Sequence, residues 1–131
     1  MPTINSDIDF SANLINLRSI ELSEVRPEVT SLLVNGEEVV QAFHTIRDQV
    51  IFTNKRVFVV NVQGLTGKRV SYFSYPYAKV VYYGIETAGV LDTDSELVMA
   101  FSDGARLFFD FKSNVNVRQI SELISEFILK E

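Results

Sequence analysis

The stretch FTNKRVFVVNVQGLTGKRVSYFSYP, residues 52–76, carries the strongest fold signal of this chain. Two runs of β-branched and aromatic residues, VFVVNV and VSYFSY, flank the connection QGLTGK, and the turn-forming TNK precedes the first run. Such residues favour strands, and Gly64 and Gly67 supply the positive φ angles that a hairpin connection needs. The stretch therefore predicts two antiparallel strands.

The same alternation of strand-forming runs and turn sequences extends from residue 37 to residue 112. Runs of strand-forming residues are separated by turn sequences such as IRDQ, YPYAK and SDGAR. Asp103-Gly104 is the strongest single hairpin signal, because a type I′ turn needs positive φ at both central residues. These residues predict a meander of about seven antiparallel strands.

Helical patterns flank the meander. After Ser113-Asn114 one apolar face predicts an amphipathic helix that covers the open end of the rolled sheet. Its members are Ile120, Leu123, Ile124, Phe127 and Ile128.

Residues 1–35 predict two short helices. Their apolar stripes are formed by Phe10, Leu14 and Leu17 and by Val25, Val29, Leu32 and Leu33. Ser23 is the expected cap of the second helix and Asn35-Gly36 its end. We divide the chain into an N-terminal helical extension, residues 1–35, and a barrel with its C-terminal helix, residues 36–131.

Length, charge and composition restrict the function classes. At 131 residues the chain fits a single domain. A net charge of −5 argues against nucleic acid as a partner, since proteins that bind the phosphate backbone need a surplus of clustered Lys and Arg. The sequence has no cysteine and no apolar run long enough for a transmembrane helix, so we expect a soluble cytoplasmic protein.

Several turn sequences resemble those of the bacterial pleckstrin-homology (PH) domain family. They are Gly36-Glu37-Glu38, Arg47-Asp48, Thr53-Asn54-Lys55-Arg56, Gly64-x-x-Gly67-Lys68, Pro76-Tyr77 and Glu86-Thr87-Ala88-Gly89, and the match spans about residues 30–130. The resemblance implies a mainly β, α+β fold, namely a PH-like seven-stranded antiparallel half-open barrel capped by a C-terminal helix. It also implies a small cytoplasmic domain that homo-oligomerises, built on a barrel that eukaryotic relatives use for phosphoinositides and protein ligands.

Two basic pairs, Lys55-Arg56 and Lys68-Arg69, are the candidate anion contacts. They lie at opposite ends of the strand VFVVNV, which separates them by roughly 20 Å at about 3.3 Å per residue. They therefore cannot converge on one phosphate, which leaves an anion contact through one pair, or solvated charges that discourage unwanted strand pairing. Lipid-binding relatives use a long basic first loop, whereas Arg47-Asp48 predicts a tight turn.

The residue patterns nominate no catalytic, cofactor or metal site. GLTGKR has two residues between its glycines, where a phosphate-binding loop has four. Asp92, Asp94 and Glu96 alternate like the start of a calcium loop but lack its Gly and bidentate Glu, which leaves a weak cation contact or a solvated strand edge. His44 is the single histidine and lies in a strand-like run, where packing or hydrogen bonding is the usual role. We predict a non-enzymatic protein without a cofactor.

Aromatic side chains on both faces of the strands indicate an interface. In LFFDF, Leu107, Phe109 and Phe111 share the inner face, which leaves Phe108 outward. The candidate interface residues are Phe108, Tyr72, Phe73, Tyr82 and Tyr83. Exposed aromatic side chains require a cover, either the N-terminal helices or another subunit.

These observations predict an interaction module that self-associates, as a closed head-to-tail ring, and that binds a protein partner. The alternative is a peripheral membrane or anionic-headgroup binder. The net charge of −5 and the short first connection disfavour that alternative.

Overall fold

The computed structural model describes residues 11–64, 69–87, 94–112 and 114–130. In these ranges eight strands form one sheet, in the order β5-β4-β3-β2-β1-β8-β7-β6, together with two α-helices. The strands are β1 (Ala12–Ser19), β2 (Val39–His44), β3 (Gln49–Thr53), β4 (Arg56–Gln63), β5 (Arg69–Pro76), β6 (Val80–Glu86), β7 (Glu96–Phe101) and β8 (Arg106–Phe111). The helices are α1 (Pro27–Leu32) and α2 (Val117–Ile128). No helix within the described ranges is long and apolar enough to span a membrane.

The predicted fold class is confirmed: the sheet curls into a half-barrel that is mostly β and carries a C-terminal helix. Strands β2 to β5 form the first half-sheet and β6 to β8 the second, and neighbours within each pair antiparallel. These seven strands are the predicted meander. The Asp103-Gly104 turn joins β7 to β8, with a φ of 94° at Gly104.

An eighth strand lies where the first helix was predicted, so that prediction is wrong. Leu14 and Leu17 belong to β1, which runs parallel to β8 and antiparallel to β2 and so connects the two half-sheets. A three-residue spacing is typical of one face of a helix. In β1 a bulge between the two leucines lets both side chains point to the same side of the strand. Asn16 has a φ of 61° and the register with β8 shifts between Leu14 and Leu17, so both side chains reach the core. Phe10 lies outside the described residues.

The second predicted helix is present as α1, preceded by a short 3₁₀ helix at Leu22–Glu24. Ser23 lies within that 3₁₀ helix and is not the cap of α1. The cap position is Arg26. Pro27 occupies the first turn of α1, where a residue without an N–H is tolerated because that group would have no partner within the helix. The helix ends at Leu32 with Leu33 as its C-cap, so the predicted end at Asn35-Gly36 is wrong. Gly36, with a φ of 81°, lies in the turn that follows. A domain boundary between residues 35 and 36 stays a prediction.

Apolar side chains pack on both faces of the first half-sheet. The inner cluster fills the half-barrel, where the ring centroids of Phe43 and Phe111 lie 4.8 Å apart and those of Phe52 and Phe109 lie 5.3 Å apart. Helix α2 closes this cluster with side chains of its apolar face, as predicted. The outer cluster lies beneath α1 and consists of Val25, Val29, Ala42, Ile51, Phe58 and Val60. Helix α1 therefore covers the outer face of the first half-sheet.

Candidate interaction surface

The second half-sheet presents an outer face that α1 does not reach. Strand alternation turns Leu97, Met99, Leu107, Phe109 and Phe111 into the core, where each is at most 1% exposed. The residues between them point outward. We call this surface the outer face and define it by Tyr82, Gly84 and Glu86 on β6, Glu96, Val98 and Ala100 on β7, and Arg106, Phe108 and Asp110 on β8.

The first row across the outer face is Tyr82, Ala100 and Arg106. The guanidinium carbon of Arg106 lies 5.9 Å from the centroid of the Tyr82 ring. Since β7 separates their two strands, these side chains meet above Ala100, which is only 4% exposed. This row is therefore aromatic and positively charged.

The middle row, formed by Gly84, Val98 and Phe108, is apolar. Val98 pairs with Gly84 on one side and with Phe108 on the other, and both Val98 and Phe108 are half-buried. A Cβ atom at Gly84 would lie 3.2 Å from Cγ1 of Val98, so a side chain there would crowd the strand. Gly84 thus leaves a recess between the two polar ends of the face.

The third row carries three carboxylates: Glu86, Glu96 and Asp110. Asp110 is 9% exposed, and its Oδ1 atom lies 3.6 Å from Nζ of Lys112. Among the described residues neither Glu86 nor Glu96 forms an ion pair. The outer face is consequently cationic at one end, apolar in its centre and acidic at the other end.

Of the five predicted interface residues, the structure brings two together on this face, Phe108 and Tyr82. Phe73 and Tyr83 pack against the inner cluster, and the Tyr83 hydroxyl lies 3.2 Å from Oγ of Ser125 on α2. Tyr72 packs against the outer cluster, where burial and the nearby Glu28 carboxylate raise its pKa. Tyr72 and Phe73 therefore lie on opposite faces of β5.

Sequence reasoning missed the other members of the face. Arg106, Val98 and Glu96 join Tyr82 and Phe108 only through the pairing of β6, β7 and β8. The alternation within β7 and β8 was a usable signal for the outward direction of each residue. It does not give the register between strands.

Arg56, one of the predicted anion contacts, forms a bidentate ion pair. Its Nη2 and Nε atoms donate to the Glu37 carboxylate at 2.8 and 2.9 Å, and Nη2 also donates to the carbonyl oxygen of Leu32 at 2.8 Å. Its guanidinium carbon lies 4.3 Å from the centroid of the Phe58 ring. Arg56 therefore holds the C-terminal end of α1 to the sheet.

The Glu37 side chain is fully buried in this network. Oε2 accepts the Thr53 hydroxyl at 2.6 Å, and Oε1 accepts the N–H of Val34 at 3.0 Å. Burial opposes ionisation, but the hydrogen bonds from Arg56, Thr53 and Val34 prevail and hold the pKa of Glu37 below its ordinary value.

The described members of the two predicted basic pairs do not form one cluster with Arg56, because Arg69 lies at the other end of β4. Lys55 lies in the turn before β4, and Arg69 pairs with Gln63 at the far end of the β4–β5 ladder. Lys68 lies outside the described residues. The first connection is tight, as predicted, because the Thr45 N–H donates to the Asp48 carbonyl at 2.9 Å. An anion contact at any of the four basic residues stays a prediction.

A groove of about 500 Å³ lies between β5 and the turn from β7 to β8. Its apolar wall includes Tyr75 and Phe101, whose ring centroids are 5.3 Å apart, and its rim includes Lys79 and Asp103. Strand β5 is a terminal strand of the described sheet, so the groove follows a strand edge. The sequence did not indicate this groove.

Reactive side chains do not converge in the described part of the chain. His44 is exposed at the end of β2, and no three His, Asp or Glu residues in the described ranges are placed to hold a metal ion. Of the proposed cation contacts, Asp94 lies 3.9 Å from Nζ of Lys112, Glu96 belongs to the outer face, and Asp92 lies outside the described residues.

Comparison with known proteins agrees with this architecture. A family model described as "Bacterial PH domain" matches residues 9–128. The Bacillus subtilis (strain 168) proteins YjqA and YozO are 35% and 31% identical to this chain; the matches cover 84% and 62% of this chain and 90% and 70% of theirs.

Solved structures are similar as well. A PH-domain protein from Shewanella loihica PV-4 has a TM-score of 0.70 at 35% identity, covering 87% of this chain and 98% of its own. The PH domain from Shewanella amazonensis SB2B has a TM-score of 0.57 at 35% identity, covering 85% of this chain and 90% of its own. The match to the family model spans most of the sequence, and the chain belongs to the bacterial PH domain family.

Proposed function

We propose that this domain is a non-enzymatic interaction module that self-associates into a closed assembly and binds a protein partner. The observation that carries the proposal is the outer face of the second half-sheet. Tyr82 is 48% exposed there and Phe108 and Val98 are half-buried, whereas α1 covers the corresponding face of the first half-sheet. A contiguous apolar patch with a polar rim is the composition of a protein interface.

The test is the mass of the full chain in solution, measured by light scattering coupled to gel filtration at high micromolar concentration. We expect a defined oligomer. Phe108→Ser should shift the mass towards the monomer, because it removes the apolar centre of the patch. Ile46→Ser is the matched control, since Ile46 is fully exposed at the turn between β2 and β3. A monomeric wild-type chain would contradict the proposal.

The groove beside β5 supports the second part of the proposal, binding of a protein partner. A strand edge next to an apolar groove can accept an extended segment, whose backbone pairs with the edge while a side chain enters the groove. Because the chain has no cysteine, Ser102→Cys places a unique photo-crosslinker at the groove. The expected result is crosslinks to another protein from this site and none from Lys130→Cys, an exposed position beyond the end of α2 that does not line the groove.

Binding of an anionic headgroup has less support. Arg56 and Arg69 lie at opposite ends of the β4–β5 ladder, and Arg56 is engaged by Glu37. The guanidinium of Arg47 donates to the carbonyl oxygen of Gly64, so it links the turn between β2 and β3 to the residue that follows β4. We therefore favour self-association over membrane binding.

A further inference from the structure

We propose that a cavity between β1 and the turn from β2 to β3 binds a small apolar carboxylic acid, whose carboxylate pairs with Arg18 while its apolar part contacts Ile15 and Ile46. The cavity has a volume of about 490 Å³, within the range of small-molecule sites. Its lining residues are distinct from those of the outer face and of the groove beside β5. The inference therefore goes beyond the proposed function and does not depend on it.

The pairing of β1 with β2 brings two polar side chains together at this cavity. Arg18 and His44 are directly opposite each other in the antiparallel register, so their Cβ atoms lie about 5 Å apart. Their neighbours Leu17 and Phe43 are buried in the core, and strand alternation turns Arg18 and His44 to the outside. Both are exposed and line the cavity, so a guanidinium and an imidazole share one wall.

The bulge in β1 supplies the next part of the wall. Because Leu14 and Leu17 both reach the core, the two residues between them, Ile15 and Asn16, both lie outside and are exposed. In a regular strand one of two consecutive residues would point inwards. The bulge therefore places an apolar side chain and an amide beside Arg18, and both line the cavity.

The hydrogen-bond donors that line the cavity are uncommitted. The Arg18 guanidinium, the His44 imidazole and the Asn16 amide form no hydrogen bond or ion pair with another described residue. The Thr45 hydroxyl accepts the N–H of Asp48 at 3.1 Å, which leaves its hydrogen available to donate. Four donors thus border one space, and an anion is the ligand that uses them.

The charges around the cavity favour the same sign of ligand. The chain has a net charge of −5, yet the described lining holds the Arg18 guanidinium and neither Asp nor Glu. Asp110 and Asp48, which contact lining residues, are engaged with other groups. The Asp110 carboxylate lies 3.6 Å from Nζ of Lys112, and the Asp48 carboxylate accepts the N–H of Val62 at 2.9 Å. Arg18 is consequently available to an anion from outside the chain.

A carboxylate on an apolar group fits this cavity better than a phosphate. Arg18 supplies one permanent positive charge, which balances a carboxylate, whereas a phosphate ester carries about −1.5 to −2 charges at pH 7. The planar guanidinium also binds a carboxylate in bidentate geometry. Ile15 is 54% exposed and Ile46 is fully exposed, so both lose contact with water when an apolar group lies against them.

The experiment is a titration of the full chain with 3-phenylpropanoate at constant pH, followed by NMR. His44 is the single histidine, so its imidazole signals report on this cavity. We expect them to shift along a saturating curve at millimolar concentrations. Arg18→Gln should weaken binding at least about tenfold, because it removes the charged bidentate contact. Acetate keeps the carboxylate without the apolar part and should bind at least about tenfold more weakly.

Controls test each part of the inference. Arg118→Gln removes the same charge from an exposed position on α2 and should keep the wild-type affinity. Ile46→Ser should weaken 3-phenylpropanoate several-fold, since it removes one apolar contact. Circular dichroism confirms that each variant folds, and light scattering should give Arg18→Gln the mass of the wild type. A changed mass would place Arg18 in a subunit contact and overturn the inference.

Three other outcomes would also overturn it: His44 signals that do not saturate, an Arg18→Gln variant with wild-type affinity, or tighter binding of inorganic phosphate than of 3-phenylpropanoate. A pentapeptide ending in Phe presents the same carboxylate on a protein chain. Binding of that peptide without binding of the free acid would exclude a small acid as the ligand. The proposed function is judged separately, by the mass of the wild-type chain.

Discussion

Arg56 and Glu37 form a bidentate ion pair, with Nη2–Oε1 at 2.8 Å and Nε–Oε2 at 2.9 Å, between the start of β4 and the loop that follows α1. The Glu37 side chain is fully buried, whereas the Arg56 side chain is 20% exposed. Through Leu32 the same guanidinium holds the end of α1. Arg56, one residue of the first basic pair, thus stabilises the cover of the first half-sheet.

Arg56→Met should lower the free energy of unfolding by about 3 kcal/mol, because it leaves the Glu37 carboxylate buried without its cation. Urea unfolding followed by circular dichroism measures the change. Lys55→Met is the matched control, since Lys55 is the exposed neighbour, and it should change stability by no more than about 0.5 kcal/mol. Equal effects of the two substitutions would refute the structural role of Arg56.

The depressed pKa of Glu37 makes stability depend on pH. Since the folded state favours the ionised carboxylate, this contribution is fully present above the ordinary pKa of 4.5. It is lost as the pH falls through the lower pKa of the folded protein. Glu37→Gln should lower stability near neutral pH, and its difference from the wild type should shrink in acid. A difference that stays constant across the acid range would contradict this assignment.

Substitutions of Asn16 test the bulge in β1. Its φ of 61° is left-handed, a region that Gly enters freely and a β-branched residue does not. Asn16→Gly should therefore keep the stability near that of the wild type, whereas Asn16→Val should lower the free energy of unfolding by about 1–2 kcal/mol. Thermal unfolding of the pair provides the comparison. Tolerance of Val at this position would argue against the bulge.

Substitution of Tyr77 tests the buried hydrogen bond at the corner between β5 and β6. Its side chain is fully buried and its hydroxyl donates to the Thr53 carbonyl at 2.7 Å. Tyr77→Phe keeps the ring and removes the donor, so it should cost about 1–2 kcal/mol of unfolding free energy. Tyr82→Phe, at an exposed ring, serves as the control in a low-concentration urea titration. A similar cost for both would contradict the buried hydrogen bond.

Local sequence patterns determined the elements that depend on neighbouring residues. Runs such as VFVVNV alternate between two faces, Asp103-Gly104 favours a tight turn, and the apolar face of α2 repeats at helical spacing. Those features predicted β2 to β8, the C-terminal helix and the inward and outward directions within LFFDF. The turn sequences also indicated the family.

Tertiary structure decided what depends on residues far apart in the chain. The spacing of Leu14 and Leu17 suits a helix or a bulged strand, and only pairing with β8 selects the strand. The sequence allowed Arg56 to be a solvated charge, whereas the fold places the Glu37 carboxylate beside it. Likewise, Arg106 and Glu96 become the two ends of one face only through the register of β7 with β8. Burial and strand register arise from contacts between distant segments, and local periodicity carries no information about them.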